Sequence, residues 1–166
     1  MQHLAQFNIG RLAHDLDDPR VADFVAGVDM VNRIAGRAEG FVWKYETGRG
    51  GVVLDGALYD DPRIVVNMTV WENIEALRNF IWKTLHKHFI NRRAEWFEPM
   101  GQAHSVMWWV PAGHRPDLIE ARDRLETYRR EGASARAFDW PDVADGRPMP
   151  PAQRSRQGDA AGTRVS

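Results

Sequence analysis

Leu4 to Ile9 alternates, with Ala5, Phe7 and Ile9 on one side and Gln6 and Asn8 on the other, which predicts a strand. Asp17-Asp18-Pro19 reads as a helix start, a capping carboxylate followed by proline at the first helical position. The stripe Val21, Phe24, Val28, Val31, Ala35 then carries an amphipathic helix to a stop between Gly36 and Gly40. Phe41 to Glu46 alternates again and would put Phe41, Trp43 and Tyr45 on one face, before a glycine turn. A weak strand is expected around Ala57 to Tyr59, and a strong one from Ile64 to Trp71 whose faces are both largely apolar. From Glu72 to Glu98 the period is helical, with Ile74, Leu77, Ile81 and Leu85 on one stripe and Trp82, His86, Phe89, Arg93 and Trp96 on the next. Ser105 to Val110 is a last strand, and a charged helix from Pro116 to Glu131 closes the domain, burying Leu118, Leu125 and Tyr128.

The order β-α-β-β-α-β plus an extra helix is the split βαβ, or ferredoxin-like, pattern of an α+β domain. Its first and third strands lie at the centre of the sheet, so Asn8 and Asn67 can be neighbours. Two helices cover one face of such a sheet, yet the third strand looks buried on both. A second copy of the sheet is the simplest cover for the other face, so a homodimer is expected, as a dimeric α+β barrel. The domain is expected to span residues 2–140. Residues 141–166, proline-rich and without an aromatic side chain, are expected to be a disordered tail.

Composition narrows the chemistry. The 166 residues hold no cysteine, which excludes a thiolate nucleophile, a disulfide framework and a Cys-ligated metal. With 22 Lys plus Arg against 23 Asp plus Glu, charges of both signs mixed on the long helices disfavour nucleic acid as a partner. No apolar run is long enough to span a membrane, and Met1 to Ala5 has no leader character, so the cytoplasm is the expected location.

Against seven tryptophans stand only three tyrosines. Trp43, Trp82, Phe89 and Trp96 are candidates to line a cavity for a flat apolar or aromatic ligand, and packing in a core or dimer seam is the alternative for each. Trp108 and Trp109, adjacent on a strand, must face opposite ways. Gln6, Asn8, Asn67 and Thr69 put strong donors and acceptors on strand faces. Such groups either orient a substrate oxygen or bond one another across the strands, and both readings are open. In His86-Lys87-His88 the two imidazoles would lie about 200 degrees apart on a helix, so they cannot share a metal ion. No metal site is expected. Singly, His86 among aromatics is a candidate heme ligand or general acid and base, or else a histidine bonded to backbone. The tetrapeptide Asp-Asp-Pro-Arg occurs at Asp17 and again at Asp60, where turn and cap chemistry accounts for both copies.

The segments Leu4 to Arg11, Val66 to Glu72, Arg92 to Phe97 and Trp108 to Pro116 together resemble a bacterial family known as domain of unknown function 3291. The resemblance covers about residues 3–140. It implies kinship with the antibiotic-biosynthesis-monooxygenase-like dimeric α+β barrels, which hold a ligand cavity between sheet and helices. Two chemistries of that superfamily are pertinent. One is cofactor-free, quinone-forming oxygenation using Asn and Trp side chains; the other is heme degradation using a first-strand Asn, a Trp and a helical His. The resemblance places Asn8 as the first-strand Asn and His86 as the helical His. Trp71 begins a shared Trp-Glu stretch but stands closer to His86 than in the heme degraders.

The expected function is a homodimeric, monooxygenase-like oxidoreductase acting on a flat apolar small molecule. Asn8, Asn67, Trp71 and His86 carry the chemistry, with heme at His86 or no cofactor at all. Ligand or heme binding without turnover, and a dimeric interaction module, are the alternatives.

Overall fold

The computed structural model describes residues 1–47, 51–85 and 89–144. Strand β1, Gln2–Leu12, is the centre of an antiparallel sheet. On one side it pairs with β4, Ile64–Trp71, and on the other with β5, Phe97–Glu98, and β6, Ser105–Pro111. Strands β2, Phe41–Lys44, and β3, Val53–Leu54, both pair with the outer edge of β4. The resulting order β2-β4-β1-β6 is that of the ferredoxin-like α+β fold.

Both Asp-Asp-Pro-Arg copies are backbone turns. Asp18 accepts from Arg20 N at 2.9 Å at the start of the 3-10 turn Pro19–Val21, which leads into helix α1, Ala22–Ala35. Asp61 likewise accepts from Arg63 N at 2.9 Å, ahead of β4. The strand expected around Ala57 to Tyr59 is instead a short helix, α2, Gly56–Tyr59. Asp55 caps it by accepting from Leu58 N at 3.0 Å, which commits the four residues to a helical turn.

Residues one apart on a strand face opposite layers, and each layer has its own cover. Leu4, Trp71 and Met107 pack against Val31 and Ala35 of α1 and against Ile74, Leu77 and Phe80 of helix α3, Ile74–Phe80. Ala5, Phe7, Met68, Val70 and Trp108 face the other way, against Leu118, Ala121 and Leu125 of the charged helix Leu118–Glu131. Phe7, Met68 and Trp108 are fully buried there, each contributing on the order of 1.5–3 kcal/mol. The face expected to meet a second copy of the sheet is therefore filled from within the chain. The homodimer expected on that ground loses its apolar surface.

Two irregularities depart from the expected periods. A β-bulge between Phe41 and Trp43 puts Phe41 opposite Trp71 and Trp43 opposite Val70, so the two rings lie on opposite faces instead of one. The helix expected from Glu72 to Glu98 is broken. Beyond α3 a π-helical turn, Ile81–Leu85, widens the coil, and a 3-10 turn, Ile90–Arg92, leads into helix α4, Arg93–Trp96. Trp82 is exposed on the π turn while Trp96 is buried on α4, so the two do not share a stripe.

The described residues run past 140 to 144, and the rest of the expected tail, residues 145–166, lies outside them. After helix α5, Leu118–Glu131, Phe138 bridges to Met107 of β6, and helix α6, Trp140–Ala144, packs Trp140 and Val143 on the α1 layer. No helix among the described residues is long and apolar enough to cross a membrane.

Candidate functional site

Between α1, α3 and the sheet lies a cavity of about 240 Å3. Its walls are Phe24, Val28 and Val31 of α1, Leu77 and Phe80 of α3, Ile81, Phe89 and Phe97. Its floor is the polar strip Gln6, Asn8, Asn67 and Thr69. Alternation explains the strip: Gln6 pairs with Thr69 and Asn8 with Asn67 in register, so all four side chains leave the same face of adjacent strands.

The strip is a directed hydrogen-bond chain. Trp71 Nε1 donates to Thr69 Oγ1 at 2.9 Å, and Thr69 Oγ1 donates to Gln6 Oε1 at 3.4 Å. Gln6 Nε2 donates to Asn8 Oδ1 at 3.1 Å, and Asn67 Nδ2 donates to the same oxygen at 3.0 Å. An indole N–H can only donate, so Thr69 Oγ1 accepts at the head of the chain, and its own hydrogen goes to Gln6. The chain ends with Asn8 Nδ2 and Asn67 Oδ1 lacking a hydrogen-bond partner among the described residues, both on cavity-lining side chains. The site thus offers a donor and an acceptor side by side on a polar floor beneath largely apolar walls.

Of the residues expected at the site, Asn8, Asn67 and Phe89 line the cavity. Trp71 does not. It is fully buried behind the floor, stacked on Phe80 at 5.0 Å, and acts on the cavity through Thr69. Trp96 is also one layer back, 5.7 Å from both Phe24 and Phe89. Trp43 is on the far side of the sheet against Tyr45, carried there by the bulge. Trp82 is 62% exposed on the π turn and lines nothing in the cavity. His86 lies outside the described residues.

Lys44 and Arg93 line the cavity, and neither is marked by the sequence pattern as a site residue. The bulge that removes Trp43 turns Lys44 toward Thr69 and the floor. Burial pulls the Lys44 ammonium and the Arg93 guanidinium below their ordinary ranges. Gly10, beneath Phe97, has no room for a Cβ, which would meet the ring at 2.6 Å.

No group of three or more metal-ligating side chains occurs among the described residues. The cavity falls below the 300–1,000 Å3 typical of drug-sized ligands. Among the described residues no histidine lines it to ligate heme, so no step is derived through heme.

The chain matches the family model described as "Domain of unknown function (DUF3291)" over residues 3–153. No curated protein matches. Among solved structures, SnoaB, a cofactor-independent oxygenase from Streptomyces nogalater, is 18% identical with a TM-score of 0.45, over 71% of this chain and 98% of that one. Protein SO0527 from Shewanella oneidensis is 13% identical with a TM-score of 0.49, over 66% and 91%. A putative antibiotic biosynthesis monooxygenase from Nitrosomonas europaea is 11% identical with a TM-score of 0.46, over 70% and 94%. Likenesses of this degree assign no chemistry to this chain. The match over residues 3–153 does assign a family, and the chain belongs to that of the domain of unknown function 3291.

Proposed function

We propose that the cavity binds a small flat apolar molecule through an oxygen on its edge, and that the protein acts on it as a monooxygenase-like oxidoreductase without a cofactor. The observation that carries this reading is the amide pair Asn8 and Asn67, whose remaining donor and acceptor sit on the floor of a cavity whose walls are mostly Phe24, Phe80, Phe89 and aliphatic side chains. A donor held by its neighbours stabilises an enolate or phenolate oxygen as charge develops on it. An electron-rich ring anion of that kind reacts with molecular oxygen. One oxygen atom becomes a ring carbonyl; the other leaves as water with the two hydrogens lost from the reacting methylene, so no external reductant is consumed.

The reading is tested by oxygen uptake with anthrone as the probe, following anthraquinone. The full chain accelerates uptake over buffer, and Asn8→Ala lowers the rate about tenfold or more. Uptake no faster than in buffer would contradict it.

A second reading, binding without turnover, is favoured by one observation: among the described residues no Asp, Glu or His lines the cavity to take a proton.

A further inference from the structure

Two adjacent arginines on one turn are treated in opposite ways. Arg92 points outward and is saturated, donating to Glu95 and Asp23 at 2.9 and 3.0 Å. Arg93 is half-buried against the cavity, its guanidinium 5.1 Å from the centre of the Phe97 ring, with no ion pair among the described residues. Lys44 enters from the β2 edge beside Thr69. Its ammonium donates only to Tyr45 O, at 3.4 Å, and it too has no ion pair among the described residues. Both cations line the cavity, and among the described residues no carboxylate does; Glu46 and Asp29 act on Lys44 from outside it. A half-buried cation without an ion pair is costly, and a bound anion relieves that cost at Arg93.

We propose that the flat apolar ring bound in this cavity carries an anionic group: the ligand is a small aromatic or alicyclic carboxylate whose ring lies against Phe24, Phe80 and Phe89 and whose charge is met by Arg93, with Lys44 adding to the positive field. The guanidinium fork matches a carboxylate's two oxygens, and the Phe97 face holds that fork in place. The burial that pulls the Arg93 guanidinium down is relieved by that anion. The donor at Asn8 Nδ2 adds a further group for an anionic or carbonyl oxygen. This inference rests on the cavity being the ligand site.

The test is calorimetric titration of the full chain with 2-naphthoate and with 2-naphthamide, which share a ring and differ in charge. Naphthoate binds about tenfold or more tightly than the amide, as charge-assisted hydrogen bonds require. Arg93→Gln and Lys44→Gln each shrink that preference, and together they abolish it while leaving the amide's affinity unchanged. Lys44→Arg retains it. Val28→Trp, which fills the cavity, removes binding of both probes. Equal affinity of the two probes for the unaltered chain, or a preference that survives the double substitution, overturns the inference while the cavity reading stands. Binding of neither probe, or binding that survives Val28→Trp, overturns the cavity reading and the inference with it. The comparison on the unaltered chain needs no variant to fold.

Discussion

Trp71 and Asn8 stand at the two ends of one hydrogen-bond chain, which runs from the indole N–H of Trp71 through Thr69 and Gln6 and leaves the Nδ2 edge of the Asn8 amide for the cavity. A fully buried side chain outside the cavity is thereby tied to its polar floor.

Trp71→Phe removes that donor and frees the Thr69 hydroxyl and the Gln6 amide to reverse. Stability falls by about 1 kcal/mol for the lost hydrogen bond, read from urea unfolding. Affinity for a ligand in the cavity falls as well. Trp82→Ala, on the exposed turn, leaves that affinity unchanged. Equal effects of the two substitutions on affinity would contradict the directed chain.

Asn8→Ala strands two donors, Gln6 Nε2 and Asn67 Nδ2, that both rely on Asn8 Oδ1. The cost is about 1–3 kcal/mol for a buried polar group left unmatched. Asn67→Ala leaves the Asn8 oxygen with Gln6 and costs less. Thermal unfolding of the two variants checks the order.

Much of this site is legible in the sequence. The alternation of Leu4 to Ile9 and of Ile64 to Trp71, with the split βαβ order, is enough to place Asn8 beside Asn67. What periodicity does not carry is an insertion that breaks it. One extra residue at the Phe41–Trp43 bulge exchanges Trp43 for Lys44 in the cavity, and the π turn sends Trp82 to solvent. Both arise from tertiary packing rather than from local propensity. The cover of the second sheet face is hidden for a different reason. Leu118, Ala121 and Leu125 are a narrow stripe on a highly charged helix, whose docking site shows only once the sheet is assembled.

Gly10→Ala forces a Cβ to within 2.6 Å of the Phe97 ring that carries Arg93 on its face. Overpacking costs about 1–3 kcal/mol, which outweighs the roughly 0.5–1 kcal/mol a strand gains on losing a glycine. The variant is less stable, and the displaced ring weakens naphthoate binding. Added stability with unchanged binding would show that Phe97 moves aside without consequence.

Asp139, half-buried beside Asp142 and accepting from Ser105 Oγ at 3.1 Å, has its carboxyl raised above the ordinary range chiefly by loss of solvent. A raised folded value means that the native state holds its proton more tightly than the unfolded chain. This group therefore opposes folding at neutral pH, and the penalty shrinks as pH falls through the raised value toward the ordinary one near 4. Asp139→Asn is more stable than the parent at pH 7, and the gap narrows as pH falls toward 4 in urea unfolding across that range. A gap that widens toward pH 4 would contradict the assignment.

The most direct measurement is nuclear magnetic resonance of the side-chain amides during titration with 2-naphthoate. The cavity account predicts saturable shifts at Asn8 Nδ2, Asn67 Nδ2 and Gln6 Nε2, with backbone shifts at Lys44, Arg93 and Phe24. Shifts confined to the outer groove between α1 and α3, at Arg33, Arg37, Asn73 and Asn79, would contradict it.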